Sequence, residues 1–131
     1  MKDLLTIYIL YIRSAVEQSC TVWHSSLNEE QHTDIERVQK VALRIILQEE
    51  YEDYSNALRI TKLDTLRLRR QSLCLRFAID CVTSEKNKDM FPKNVKIVNT
   101  RPHEEYYVTP AKTSRLAKST IPYMQRLLND K

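Results

Sequence analysis

The side chains of this chain that are best suited to chemistry are basic, and most of them are arginines. Between residues 59 and 76, six basic side chains stand against a single acidic one. The six are Arg59, Lys62, Arg67, Arg69, Arg70 and Arg76. Guanidinium groups bind phosphate through paired hydrogen bonds, so a helix that carries several can lie along a nucleic-acid backbone. A structural role is the alternative, in which these arginines pair with acidic residues elsewhere in the chain while their stems cover the core.

The distribution of charge keeps both alternatives open. Residues 1–58 carry 5 Lys/Arg against 10 Asp/Glu, whereas residues 59–131 carry 16 against 7, for a net charge of +4. A basic half of this size suits a nucleic acid or a phosphate-rich surface as partner. It equally suits an acidic first half as the partner within the same chain.

Cysteine and histidine offer little further chemistry. Cys20 with His24, and Cys74 with Cys81, could each share a helix face, and four such ligands can bind zinc. The spacing differs from that of structural zinc sites, and cysteine on an apolar helix face acts as a small hydrophobic residue. A nucleophilic pair of Cys20 or Cys74 with one of the histidines, His103 included, lacks a local signature. The sequence therefore predicts no catalytic residue, no metal site and no cofactor.

The chain contains no glycine, although average usage of about 7% would give roughly nine residues in this length. Glycine-rich phosphate loops depend on a close backbone approach that only glycine allows. The absence of glycine argues against nucleotide-binding α/β folds and favours helices joined by Asn, Asp, Ser and Pro turns. We therefore expect a mainly α fold, a small bundle of about four helices.

Hydrophobic periodicity predicts where these helices lie. The first covers residues 2–18, and the second covers residues 29–47 with Asn28 and Gln31 as its capping box. A short helix at residues 55–61 precedes a long one that runs from a cap at Asp64 to about residue 82. The second helix is expected to bury an apolar face formed by Ile35, Val38, Ala42 and Ile45 and reinforced by Val41 and Ile46. The further residues predicted for the core are Trp23, Leu27 and Phe77.

The pattern becomes irregular after residue 83, where prolines interrupt it. We expect three parts: a helical domain at 1–84, an irregular basic segment at 85–118, and a C-terminal helix at 119–131 with Pro122 in its first turn. Within the irregular segment, residues 95–98 and 106–108 could pair as short strands.

The chain is expected to lie inside the cell. Its three cysteines are odd in number, and no signal peptide opens the sequence, so a reducing compartment is predicted. Nucleus and cytoplasm are not distinguished. The most apolar stretch, residues 4–16, is interrupted by Arg13 and is shorter than the about 20 residues of a membrane span, so no membrane association is expected.

Three stretches, read in order, resemble a known family. The first runs from Tyr8 through Trp23 and continues with the sequence IERVQKVALRII at residues 35–46. The second is residues 54–77, in which Leu63, Leu66, Arg69, Arg70, Leu73 and Phe77 match. The third is residues 115–129. Together they resemble the region after the polymerase palm in non-LTR retrotransposon reverse transcriptases of the jockey-like group. Val16 departs mildly from the first pattern.

The resemblance implies the polymerase thumb and the tail beyond it, which grip the primer–template duplex. The palm and its catalytic aspartates would then lie upstream of Met1, which would be an internal methionine or the start of a truncated gene. Expected partners are an RNA template or RNA/DNA duplex and the missing upstream polymerase domain. Phosphate contacts are expected from Lys62, Arg67, Arg69, Arg70 and Arg76. The alternative is a helical protein-interaction scaffold without nucleic-acid binding, in which the apolar first helix docks on a partner.

Overall fold

Helices dominate the chain, as the periodicity predicts. The structure is a computed structural model that describes residues 2–95 and 104–130. The α-helices are α1 (Lys2–Ile7), α2 (Ser14–Glu17), α3 (Cys20–Trp23), α4 (Glu29–Leu47), α5 (Tyr54–Thr61), α6 (Leu66–Thr83), α7 (Ser114–Ala117) and α8 (Thr120–Asn129). A π-helical segment (Tyr8–Arg13) joins α1 to α2, and short 3₁₀ turns lie at His24–Ser26, Gln48–Glu50 and Lys88–Met90. The helices are thus more numerous than the about four expected, while the mainly α class is confirmed.

α4 begins where its capping signal predicts. The Asn28 side chain accepts a hydrogen bond from the Gln31 N–H at 2.8 Å, and the Asn28 N–H donates to the Gln31 side chain at 2.9 Å. This reciprocal pair satisfies two backbone donors that have no partner within a helix. The predicted bounds of α4 are therefore confirmed.

The buried face of α4 differs from the predicted one. The buried residues are Gln39, Leu43, Ile46 and Leu47, whereas Val38 and Ile45 are exposed. α4 has apolar residues on two sides, and the side that is buried contains Gln39. Hydrophobic periodicity counts a glutamine as polar and therefore does not identify this side as the buried one. The prediction of Val38 as core is therefore wrong.

The start of α6 also differs by one residue. The Thr65 hydroxyl accepts a hydrogen bond from the Leu68 N–H at 3.3 Å, so Thr65 rather than Asp64 caps the helix. α6 runs through Thr83, close to the expected end. Phe77, predicted as core, is exposed, while Trp23 and Leu27 are only partly buried.

The chain divides into two compact units. Unit 1 comprises Met1–Cys20 and Leu27–Gln71, and unit 2 comprises Thr21–Ser26 and Ser72–Lys131. The predicted ranges 1–84, 85–118 and 119–131 do not follow this division, because α6 contributes residues to both units. The core of unit 1 contains Tyr8, Leu43, Ile46, Leu47 and Ala57. The core of unit 2 contains Cys74, Ala78, Cys81, Phe91, Tyr106, Met124, Leu127 and Leu128.

In unit 2 an irregular segment packs against α8. An antiparallel bridge joins Lys93 to Tyr106, so Tyr106 pairs with a residue that lies before the expected strand at 95–98. Ile97 and Val98, which belonged to that expectation, lie outside the described residues. α8 begins at Thr120 with Pro122 in its first turn, as predicted, because the first N–H groups of a helix need no helical acceptor.

Among residues 2–95 and 104–130, no helix combines the length and the apolar character needed to cross a membrane.

Candidate nucleic-acid interface

Glu36 on α4 fixes the start of α6, the helix that carries most of the candidate residues. Its carboxylate accepts hydrogen bonds from the N–H groups of Leu66 at 3.0 Å and Arg67 at 3.2 Å. The Tyr54 hydroxyl also donates to it. A carboxylate at a helix N-terminus is stabilised by the helix dipole. The position of Arg67 therefore depends on a residue 31 positions earlier in the chain.

Below this cap lies a buried polar network centred on Gln39. The Tyr8 hydroxyl donates to the Gln39 Oε1 at 2.7 Å, and the Gln39 Nε2 donates to the Tyr54 hydroxyl at 3.0 Å and to the Asp64 carbonyl at 2.9 Å. Burial raises the pKa of Tyr8 to about 12. Burial, together with the neighbouring Glu36, also raises the pKa of Tyr54. Both phenols therefore keep their protons at neutral pH and can act as donors in the network.

Arg67 makes a two-pronged ion pair with Glu29. Its two terminal nitrogens lie 2.8 and 2.9 Å from the two carboxylate oxygens of Glu29. The Arg67 side chain is 52% exposed and that of Glu29 is 79% exposed. The pair is thus a surface contact, of a kind that contributes about 0–1 kcal/mol to stability.

Arg69 is held more firmly. Its Nε lies 2.7 Å from a carboxylate oxygen of Glu17, whose side chain is only 11% exposed. Arg13, one helical turn before Glu17, approaches the same oxygen at 3.9 Å. This shielded carboxylate therefore interacts with two guanidinium groups, so Arg69 serves the packing of unit 1.

Arg70 is fully buried. One of its terminal nitrogens lies 3.4 Å from the His32 Nδ1. Burial lowers the pKa of Arg70, although an arginine keeps its charge in proteins. A guanidinium without solvent access cannot reach a phosphate backbone in this conformation. Its inclusion among the phosphate contacts is therefore corrected.

The remaining two candidates are exposed. Lys62 follows α5 in a left-handed conformation, with φ of 55°, and ends that helix. Arg76 lies on α6 within unit 2. The structure thus leaves Lys62, Arg67 and Arg76 as accessible cations, while Arg69 and Arg70 serve the interior of unit 1. Arg67 and Arg69 form ion pairs with Glu29 and Glu17 of the acidic first half.

A shallow pocket of about 220 Å³ adjoins Arg67 and is lined by His32, Thr33, Glu36, Lys40, Thr65 and Arg67. Glu36 supplies a negative charge there, and the Lys40 ammonium sits 5.1 Å from the centre of the Tyr54 ring. Burial is the largest cause, and Arg67 the next, of a lowered pKa of His32. The Glu36 carboxylate already occupies the N-terminus of α6, so this pocket is not suited to a phosphate.

Unit 2 contains two polar side chains that sequence reasoning missed. The Gln125 Oε1 accepts from the Thr109 N–H at 2.8 Å, while its Nε2 donates to the Met90 carbonyl at 3.0 Å. Asn129 pairs with both backbone groups of Tyr106, accepting from its N–H at 2.9 Å and donating to its carbonyl at 3.0 Å. Both side chains hold the irregular segment on α8. Their position on the otherwise apolar face of α8 was the available signal.

The cysteines and histidines do not form a site in the described parts of the chain. Cys20, Cys74 and Cys81 are buried and form no disulfide. Burial raises the pKa of both the Cys20 and the Cys81 thiol, which disfavours the nucleophilic thiolate. No group of three potential metal ligands occurs among residues 2–95 and 104–130, and His103 lies outside them.

An exposed apolar surface is the other large feature of unit 1. It consists of seven exposed side chains, which are Leu4, Ile7, Tyr11, Ile12, Val38, Val41 and Ile45. Leu4 and Ile7 lie three residues apart on one side of α1, and Tyr11 follows in the π-helical segment. Ile12 faces α4 across a groove of about 400 Å³ that is lined by Ile12, Asp34, Arg37, Val38, Val41, Ala42 and Ile45. The face of α4 predicted as core thus supplies much of this surface.

Comparisons with protein-family models, with curated proteins and with solved structures found no match to this chain.

Proposed function

We propose that this chain is the non-catalytic C-terminal part, thumb and tail, of a non-LTR retrotransposon RNA-directed DNA polymerase, and that it contacts the backbone of an RNA/DNA duplex. The order and spacing of the motifs between Tyr8 and Asn129, which extend over nearly the whole chain, support this proposal. A mainly helical fold is compatible with it. The upstream polymerase domain, with the catalytic aspartates, is then a partner of this chain.

Among the structural observations, the exposure of Arg67 carries the proposal furthest. Its ion pair with Glu29 lies in solvent, where such pairs contribute little to stability. A backbone phosphodiester carries one negative charge, as a carboxylate does, and accepts the same two parallel hydrogen bonds. A backbone phosphate can therefore replace Glu29 at small cost. Lys62 and Arg76 would each add a separate phosphate contact.

The experiment measures binding of the full chain to an RNA/DNA hybrid by fluorescence anisotropy at increasing salt concentrations. Each phosphate contact steepens the dependence of log K on log salt by roughly 0.7–0.9. Arg67→Ala, Arg76→Ala and Lys62→Ala should each weaken binding and reduce the salt slope by about one contact. No binding at about 50 mM salt would refute the proposal.

Arg59→Ala is the matched control. Arg59 is an exposed arginine of unit 1 that bonds to Asn56 on its own helix, and it is not among the proposed contacts. Its removal should leave the salt slope unchanged. If Arg59→Ala reduces the slope as much as Arg67→Ala does, binding reflects net charge alone and the assigned contacts are wrong.

A second candidate function is a helical protein-interaction scaffold without nucleic-acid binding. The exposed apolar surface of unit 1 favours it, because large contiguous apolar patches mark interaction sites. If the chain ignores the hybrid duplex at low salt, while substitutions on this surface alter its association, the scaffold function replaces the first proposal.

A further inference from the structure

The exposed apolar surface is large for a molecule on its own. Tyr11 is 72% exposed and Ile45 is 62% exposed, and the other five side chains are exposed by about two fifths to a half. Taking roughly 150–200 Å² for a fully exposed side chain of this size, the seven together present on the order of 600 Å². The largest apolar patch of a typical soluble monomer is about 300–600 Å². This surface therefore reaches the upper limit for a monomer.

The area also fits a particular kind of contact. A stable interface of standard size buries about 800 Å² on each partner, with an apolar centre and a polar rim. An apolar centre of about 600 Å² with its charged neighbours reaches that area. A single side chain or a short peptide would cover only part of this surface and would leave most of it exposed to water.

The surface includes features that can complement each other. It comprises the exposed side chains of Leu4, Ile7 and Tyr11 and the groove between Ile12 and α4. The groove has a volume of about 400 Å³. An apolar cavity of about 150 Å³ holds one benzene ring, so this groove accepts roughly two side chains of that size. In a two-fold dimer, exposed apolar side chains of each copy can enter the groove of the other.

The charges permit the same arrangement. Asp34 and Arg37 lie side by side along the groove, with Arg37 Nη1 3.6 Å from the Asp34 carboxylate, and both are well exposed. In a two-fold contact, the acid of one copy can pair with the base of the other and the reverse. Unit 1 carries 10 Lys/Arg against 11 Asp/Glu, so net repulsion does not oppose its self-association.

We infer that the occupant of this surface is the same surface of a second copy of the chain, giving a two-fold dimer through α1, the π-helical segment and α4. A membrane surface fits less well, because interfacial helices carry many Lys and Arg beside their apolar face. The first helical stretch, residues 2–17, has only Lys2 and Arg13 as cations, balanced by Asp3 and Glu17. This inference is independent of duplex binding.

The first test is sedimentation velocity of the full chain between about 1 and 100 µM, since interfaces of standard size have affinities from micromolar to tighter. The wild type should shift from monomer to dimer in this range. Val41→Glu and Ile45→Glu should each weaken association at least about tenfold, because a carboxylate would be buried without a partner. Leu68→Glu, at an exposed apolar position of unit 1 outside this surface, is the control and should dimerise normally.

The second test uses the rim charges. Arg37→Glu makes the rim of each copy acidic, and Asp34→Lys makes it basic, so each variant alone should dimerise more weakly than the wild type. Mixed in equal amounts, the two variants should form heterodimers in preference to either homodimer. Helix content measured by circular dichroism confirms that each variant is folded.

Three results would overturn the inference. One is a wild type that stays monomeric at about 100 µM. Another is a dimer that Val41→Glu and Ile45→Glu leave intact. The third is a monomer that uses these residues to bind lipid vesicles or the upstream polymerase domain supplied as a separate chain. The hybrid-duplex titration separates the two proposals, since Val41→Glu should leave the salt slope unchanged and Arg67→Ala should leave dimerisation unchanged.

Discussion

The two units use their polar residues in different ways. In unit 1, side chains bond to other side chains far away in sequence: Tyr8 to Gln39, Arg69 to Glu17, and Arg67 to Glu29. In unit 2, the amides of Gln125 and Asn129 bond to the backbone of an irregular segment. Unit 1 thus matches its charges internally, whereas unit 2 carries 11 Lys/Arg against 6 Asp/Glu.

This difference shows what each unit can offer to a partner. Some arginines of unit 1 form ion pairs with acidic side chains of the same unit, while apolar side chains of α1 and α4 are exposed to solvent. The arginine-rich stretch that begins at residue 59 therefore does not make unit 1 a basic surface. In unit 2 the excess of cations is not balanced by acids of the same unit, so its electrostatic attraction for a polyanion is the stronger of the two.

The largest effect is expected from the side-chain network of unit 1. Gln39→Leu keeps the side-chain volume but removes the partners of the Tyr8 hydroxyl and the Asp64 carbonyl. A buried polar group left without a partner costs about 1–3 kcal/mol, so the free energy of unfolding should fall by about 3 kcal/mol. Urea unfolding, with circular dichroism as the readout, measures this loss.

Gln71→Leu is the control for that experiment. Gln71 is an exposed glutamine on α6, and its replacement should change the free energy of unfolding by less than about 0.5 kcal/mol. Equal effects of the two substitutions would show that the network around Gln39 does not stabilise unit 1 beyond ordinary surface contacts.

A smaller and more local effect is expected in unit 2. Asn129→Ala removes both hydrogen bonds to the Tyr106 backbone, with a cost of about 1–2 kcal/mol. Hydrogen exchange of the Tyr106 amide should accelerate, while the amides of α4 keep their protection. Asn87→Ala serves as the control, since the Asn87 side chain makes no capping hydrogen bond. Uniform acceleration over the whole chain would contradict a local role for Asn129.

The two ion pairs of unit 1 should differ from each other. Arg69→Ala leaves the shielded Glu17 carboxylate without its nearer partner and should cost about 2 kcal/mol. Arg67→Ala breaks a solvent-exposed pair and should cost less than about 1 kcal/mol. Thermal unfolding at low and high salt compares them, and only the Arg67 contribution should disappear at high salt. A larger loss for Arg67 would reverse the assignment of Arg67 as the available arginine.

The sequence predicted the helices well because their signals are local. The capping box at Asn28 and the apolar spacing after it placed α4 at its observed bounds. The sequence did not predict which side of α4 is buried, because that depends on Tyr8, 31 residues away, reaching the amide of Gln39. The ion pair of Arg69 with Glu17 joins residues 52 apart, so no pattern within one helix indicates it. Contacts of this kind decided which candidate cations stay accessible.

The smallest expected effect concerns the pH dependence of unit 1. Burial first, and Arg67 and Arg70 next, lower the pKa of His32, against the opposing influence of Glu29 and Glu36. The unfolded chain, with a histidine pKa near 6.5, then binds more protons than the folded chain as the pH falls below about 6.5. Stability should therefore decrease in this window, until the pH reaches the folded pKa of His32.

His32→Gln should remove this part of the pH dependence, as measured by urea unfolding between about pH 7 and 5. Arg67→Ala should make it shallower, because it raises the folded pKa of His32 toward its ordinary value. A titration of the His32 ring by NMR that gives an ordinary pKa in the wild type would refute this account and would place the His32 ring in solvent, away from the arginines.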